Sequence, residues 1–259
     1  MKDRDRLLDR QRPRPGARFH VDHPLGPGLE LTLPPLAAHH AGRVLRLAEG
    51  DPVTLFDGRG GEYLGVVTRT TRSEVSVRTV SFDPAERESP LQVTLVQGIS
   101  SGDRMDYTIR KAVELGVSAV VPVFTERGIV RLAGERAARR REHWQALATA
   151  ACEQCGRNRV PPVAEPLPYV DWIASLAPPD PDALRVTLSP EAALRLAALP
   201  ERRAGVMLLA GPEGGLSRRE AELAAARGFT GTRLGPRILR TETAAVAALA
   251  VLQAMWGDF

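Results

Sequence analysis

The run Val206-Met207-Leu208-Leu209-Ala210-Gly211-Pro212-Glu213-Gly214-Gly215-Leu216-Ser217 leads from an apolar stretch through a glycine-rich turn to a helix start. Val206 to Leu209 have the unbroken hydrophobicity of a strand covered on both faces. Ser217, with Glu220 three residues on, makes a capping box that starts a helix directly after the turn. Glycines between a strand and a helix N-terminus let main-chain N–H groups approach a ligand closely. A second run repeats the arrangement: Leu234-Gly235-Pro236-Arg237-Ile238-Leu239-Arg240-Thr241-Glu242-Thr243-Ala244 places Thr241, Glu242 and Thr243 at the mouth of an apolar helix. An acidic side chain suits that end of a helix dipole. Two such loops in one sheet predict a pocket built from main chain more than from side chains.

Outward from these runs, strands are predicted at Leu91–Gln97, Val117–Phe124, Leu184–Leu188, Val206–Ala210 and Thr230–Leu234. Helices are predicted at Asp103–Leu115, Glu135–Cys155, Glu191–Ala198, Ser217–Arg227 and Thr241–Met255. Such alternation implies a mainly parallel α/β sheet with helices on both faces, and ligands in such sheets bind at strand carboxyl ends. The last helix is apolar around its circumference, which predicts burial on all sides.

The first third has a different texture. Met1–Ala17 is rich in Arg, Asp and Pro and is expected to be a flexible extension. Over 18–82, short strands alternate with turns. Val53–Phe56 and Tyr63–Val67 flank Asp57-Gly58-Arg59-Gly60-Gly61, a hairpin loop, and Val75, Val77 and Thr79 alternate with polar neighbours. A small β-barrel follows, with residues 83–90 as a linker to a second domain over 91–259.

Composition excludes several classes. The chain has 259 residues, 43% hydrophobic, and a formal net charge of +4, with Lys2 and Lys111 its only lysines. A basic balance favours a polyanionic partner. No apolar run reaches membrane-spanning length and the N-terminus lacks a secretion signal, so a cytoplasmic protein is expected. No Gly-x-Gly-x-x-Gly opens a helix, and the first loop lacks the Lys-Ser/Thr ending of a P-loop. Cys152 and Cys155 form a lone Cys-x-x-Cys without a second ligand pair, so no metal site is expected and reduced, packed thiols are.

Gly211–Leu216 followed by Leu234–Ala244 resembles the RsmE family of ribosomal RNA methyltransferases, members of the SPOUT class. The resemblance extends to Ser101–Val117, to Ala151–Pro161, and near the N-terminus to His40, Val44-Leu45-Arg46, Gly50-Asp51 and Leu55-Phe56-Asp57-Gly58. It implies a SPOUT-type knotted sheet preceded by a PUA-like RNA-binding barrel. It also implies methyl transfer from S-adenosylmethionine to N3 of a decoding-region uridine in 16S ribosomal RNA, within the assembled small subunit, by a homodimer paired through the last helix. The adenosine is expected among Leu188, Gly211, Gly214, Leu234, Ile238, Leu239, Thr243 and Ala244, with Pro212, Gly215 and Gly235 shaping the loops. A side chain at Gly214 is expected to fill space near the nucleoside.

Uracil N3–H is a weak acid, so its reaction needs a base or stabilisation of the developing anion. Glu242 is the expected proton acceptor and Arg240 the oxyanion stabiliser, although Glu242 also suits its helix terminus and Arg240 a carboxylate partner. Glu213 is a second acid, read as a loop brace. Arg18, Arg43, Arg46 and Arg104 are expected to grip RNA, with Glu153, Arg157 and Arg159 facing the RNA or the site. A SPOUT enzyme acting on another RNA, a non-catalytic RNA-binding relative and a nucleotide-dependent α/β enzyme are the alternatives.

Overall fold

The computed structural model describes residues 17–130, 134–200 and 205–259. The extension expected before Ala17 lies outside these residues, while Ala17 itself is buried and accepts a hydrogen bond from the Thr54 N–H. Two compact units are present. One holds the described residues up to Glu88 together with Cys152–Val160; the other holds those of Ser89–Ala151 and Pro161–Phe259.

The first unit contains β1 (Arg18–His20), β2 (Glu30–Thr32), α1 (Pro35–His39) running into a π-helical turn (His40–Val44), β3 (Pro52–Phe56), β4 (Glu62–Thr70) and β5 (Val75–Asp83). The strand order is β1-β3-β4-β5-β2, with β1 parallel to β3 and the other pairs antiparallel. The hairpin predicted at 57–61 joins β3 to β4, and Gly58, Gly60 and Gly61 all take positive φ there, which explains the glycines by the turn. Val75, Val77 and Thr79 are buried as their alternation requires, and the two valines pack with Phe19, Leu31, Val53 and Leu55.

The second unit contains β6 (Val93–Gly98), α2 (Asp103–Glu114), β7 (Ala119–Phe124), α3 (Glu135–Cys155), β8 (Leu167–Pro168), α4 (Tyr169–Ser175), β9 (Leu184–Leu188), β10 (Val206–Ala210), α5 (Arg218–Ala226), β11 (Thr230–Thr232) and α6 (Thr241–Trp256). Every pairing is parallel, in the order β11-β9-β10-β6-β7-β8. The two most fully buried strands, β6 and β10, lie at the centre. α2 ends in a Schellman motif: Gly116 takes φ +78°, its N–H bonds to Val113 and the Val117 N–H to Ala112. The capping box opens α5 as predicted, Ser217 accepting from the Glu220 N–H and Glu220 from the Ser217 N–H.

Two expectations fail locally. Residues 191–195 are not helical and only a 3-10 turn forms at Leu196–Ala198. The Leu196 N–H bonds to the Arg233 carbonyl and the Arg233 N–H to Leu194, so this backbone pairs sideways with the residue after β11 instead of with itself. α4 escaped notice because seven residues are too few to show a helical period; Tyr169, Trp172 and Ile173 bury it against Phe229 and Ala224. α6 is also not buried all round. Thr241, Ala245, Ala248, Leu249, Leu252 and Gln253 face inward, whereas Ala244, Ala247, Ala250 and Val251 are half-exposed. Among the described residues no helix is long and apolar enough to cross a membrane.

Candidate active site

Both glycine-containing loops fall at the carboxyl ends of the parallel strands, and one buried side chain ties them together. Gln97, at the end of β6, shares its Nε2 protons among the carbonyls of Gly98 (3.0 Å) and Gly211 (3.3 Å) and the hydroxyl of Thr241 (3.1 Å). Thr241 Oγ1 in turn donates to the Gly211 carbonyl at 2.6 Å. The end of β6, the first loop and the start of α6 are therefore one hydrogen-bonded knot of side chain and main chain. Sequence reasoning missed Gln97; its signal was a lone amide closing the apolar run Val93–Val96.

The first loop is held on its other side by an anionic clamp. Pro212 to Gly215 form a turn closed by the Gly215 N–H on the Pro212 carbonyl. Glu213 Oε1 accepts from the Ser101 N–H (2.9 Å), the Ser101 hydroxyl (2.7 Å) and Arg104 Nη1 (2.9 Å). Burial alone would raise the Glu213 carboxyl, but the Ser101 and Arg104 hydrogen bonds outweigh it and hold it below the ordinary value of 4.5. A carboxyl depressed in the folded state stabilises fully above its unfolded pKa, and the contribution is lost as pH falls through the folded value. Thermal melts of the wild type and Glu213→Gln should therefore differ by a constant amount above pH 4.5 and converge below it; a gap that closes already between pH 7 and 5 would contradict the clamp.

Arg104 also reaches toward the second loop, its Nε 3.9 Å from Glu242 Oε2. The expected RNA contact is thus a member of the site, poised between two carboxylates. Glu242 Oε2 is buried yet has no hydrogen-bond partner, and the same holds for Gln97 Oε1, Ser100 Oγ and Thr187 Oγ1. These atoms sit at strand ends or on α6, where unsatisfied buried polar groups call for a ligand or a chemical role. Arg240 is the N-cap residue of α6, exposed and without an ion pair among the described residues.

Leu188 ends β9, Gly211, Pro212, Gly214 and Gly215 form the first loop, and Leu234, Gly235, Ile238, Leu239, Thr243 and Ala244 lie on the second loop and the first turn of α6. Ile238 is 84% exposed on the second loop. At Gly214 the expected open space is absent: a Cβ there would meet Arg127 Cβ at 3.0 Å, so that glycine accommodates a protein neighbour. At Gly235 an added Cβ would meet nothing within 4 Å. A groove of about 510 Å³ opens beside it, lined by Pro190, Arg195, Arg233, Leu234, Gly235 and Arg237 among others, within the roughly 300–1,000 Å³ of small-molecule sites.

In the first unit, three of the residues expected to hold RNA are committed to the protein. Arg18, with a side chain only 11% exposed, donates to Glu62 Oε2, the Arg157 carbonyl and Asn158 Oδ1, with Phe56 stacked 4.3 Å away. Arg157 is paired with Glu88 at 2.5 Å, and Glu153 accepts the His20 N–H at 3.0 Å. Arg159 is half-exposed beside Glu86 at 3.5 Å. Polar residues of a loop following a helix gave no sequence clue that β1 would be their partner. Arg43 and Arg46 remain exposed. Cys152 is buried, and burial pushes its thiol up to about 12, which makes it inert.

Residues 87–253 match the model of an RNA methyltransferase domain and residues 37–80 that of an RNA methyltransferase PUA domain. The chain is 35% identical over 228 residues to the ribosomal RNA small subunit methyltransferase E of Synechocystis, covering 87% of this chain and 73% of that one. To the protein of the same name from Buchnera aphidicola of Schizaphis graminum it is 31% identical over 241 residues, 93% and 97% of the two chains. Among solved structures, the Neisseria gonorrhoeae ribosomal RNA small subunit methyltransferase E bound to S-adenosyl methionine superposes with a TM-score of 0.86 at 39% identity, over 93% and 98% of the chains. A Legionella pneumophila putative methyltransferase in complex with the same cofactor gives 0.89 at 38% identity, over 94% and 99%.

Proposed function

The chain belongs to the ribosomal RNA small subunit methyltransferase E family, and on that premise we propose that it methylates N3 of a decoding-region uridine in 16S ribosomal RNA. Its substrate is the assembled small subunit, in the cytoplasm, and its methyl donor is S-adenosylmethionine. The fold is of the SPOUT type, with a PUA-like barrel, residues 18–82, as RNA-binding domain and residues 91–259 as catalytic domain, except that Cys152–Val160 belongs to the first unit.

The residues present fit the cofactor. Gly215 and Gly235 leave open space where a side chain would stand, and the unsatisfied Gln97, Ser100 and Thr187 oxygens lie at strand ends on the loop side. The loops 211–216 and 234–239, with Leu188, Thr243 and Ala244, would hold the adenosine largely through main chain. When bound, S-adenosylmethionine supplies an electrophilic methyl group that needs alignment more than activation.

The protein's own task is the proton. The observation that carries this reading is Glu242 Oε2, a buried carboxylate oxygen without a hydrogen bond, next to the loops that Gln97 ties together. Glu242 Oε2 accepts the proton from N3 as the N3–H bond breaks, and Arg240 stabilises the charge that develops on the uracil carbonyl oxygen. Arg104 orients Glu242 while clamped by Glu213. N3 is hidden in paired bases, so the uridine must be unpaired or flipped out. The half-exposed Ala244, Ala247, Ala250 and Val251 strip on α6 supports pairing of two copies through that helix.

The test is incubation with labelled S-adenosylmethionine and small subunits that lack the modification, followed by mass spectrometry of the nucleosides. N3-methyluridine in 16S RNA is the expected product. Label on a ribose, on another base, or on nothing would overturn the proposal.

A further inference from the structure

The first unit carries a second cavity, away from any residue given a role above except Arg43. It measures about 440 Å³ and lies between the π-helical turn and the turn that joins β4 to β5, lined by His39, Gly42, Arg43, Thr71, Arg72 and Ser73 beside Pro35 and Ala38. We propose that it is a docking site for a phosphodiester of the RNA backbone, gripped by Arg43 and Arg72.

Charge points to that occupant. Both guanidiniums are exposed and neither makes an ion pair or a hydrogen bond among the described residues, whereas Arg18, Arg87, Arg104 and Arg157 are all matched with carboxylates. No acidic side chain lines the cavity. Two unmatched guanidiniums on facing walls suit the oxygens of one phosphate.

The walls are also prepared. Thr71 Oγ1 accepts from the Glu74 N–H at 3.0 Å, and the Thr71 N–H bonds to the Glu74 carbonyl at 2.8 Å, so the turn presenting Arg72 and Ser73 has a fixed shape. The opposite wall is a π-helical turn, a rare geometry that concentrates at functional positions. It is followed by Arg46, the non-glycine residue with positive φ (53°) among the described residues. Leu36 (81% exposed) and Val44 (63%) stand on the same segment, apolar surface suited to a sugar or an unstacked base.

This site rests on the reading of the protein as an RNA enzyme, and the experiment separates the two. The full chain is titrated with 16S RNA and with small subunits at several salt concentrations, as wild type, Arg43→Gln, Arg72→Gln and Arg78→Gln, the last an exposed arginine outside the cavity. Failure of the wild type to bind RNA would sink the reading of the protein itself. If the wild type binds, Arg43→Gln and Arg72→Gln should each weaken RNA binding roughly fivefold to tenfold and flatten the salt dependence by about one counterion. Their KM for subunits should rise with kcat and cofactor affinity unchanged, Arg78→Gln should match the wild type, and Arg72→Lys should recover part of the loss. Wild-type RNA affinity and salt slope in both cavity variants would overturn the site. A raised KM on subunits with unaltered binding to protein-free RNA would overturn it too, by assigning the cavity to a ribosomal protein.

Discussion

Glu242→Gln is expected to slow methyl transfer by about 10²–10⁴-fold, the usual worth of a positioned general base, while S-adenosylmethionine affinity stays within about twofold. The substitution keeps the shape of the side chain and removes its capacity to take a proton. It also removes a negative charge from the first turn of α6, but that interaction is worth only about 0.3–1 kcal/mol. The catalytic loss corresponds to about 3–5 kcal/mol, so the two effects are separable by magnitude: a small fall in melting temperature beside a large fall in kcat. Calorimetry for the cofactor and single-turnover transfer on subunits read them independently. A rate within threefold of wild type would return Glu242 to a purely structural role at its helix end. Arg240→Ala provides the complement, because an exposed side chain without a protein partner can be lost without strain. It should depress the rate more than cofactor affinity.

The loops were legible because glycine, proline and capping residues act locally. The Ser217–Glu220 box, the 57–61 hairpin and the alternation at 75–79 each depend on neighbours within a few residues, and each stands as expected. What escaped was non-local. The strand order β11-β9-β10-β6-β7-β8 leaves no trace in the hydrophobicity of any strand, and the sideways pairing of 194–196 with Arg233 overrode an ordinary helical pattern. Arginine was the least legible residue. An exposed phosphate-binding arginine and one folded onto Glu62 and Asn158 look alike in sequence; only the partner, more than forty positions away for Arg18, distinguishes them. Arg104, expected at the RNA, likewise has carboxylate neighbours remote in sequence, Glu213 and Glu242.

Gly98→Ala should damage the cofactor site from the rear, with about a hundredfold loss of S-adenosylmethionine affinity. The added methyl would stand 2.6 Å from Pro212 Cδ and 2.7 Å from Pro212 N, and 3.1 Å from the Gly211 carbonyl carbon. None of these is the end of a flexible side chain. The first loop must therefore move off β6, which stretches the bonds from Gln97 and Thr241 to the Gly211 carbonyl. Overpacking of this kind costs about 1–3 kcal/mol of stability, or a few degrees of melting temperature in a domain of this size, so the variant folds. Gly235→Val offers the contrast, because its side chain meets no protein atom within 4 Å of the Cβ position. There the melting temperature should hold while affinity falls, since only the ligand competes for the space. If Gly98→Ala bound the cofactor normally, the knot around Gln97 would be a feature of folding alone; if Gly235→Val did so, the adenosine would lie elsewhere.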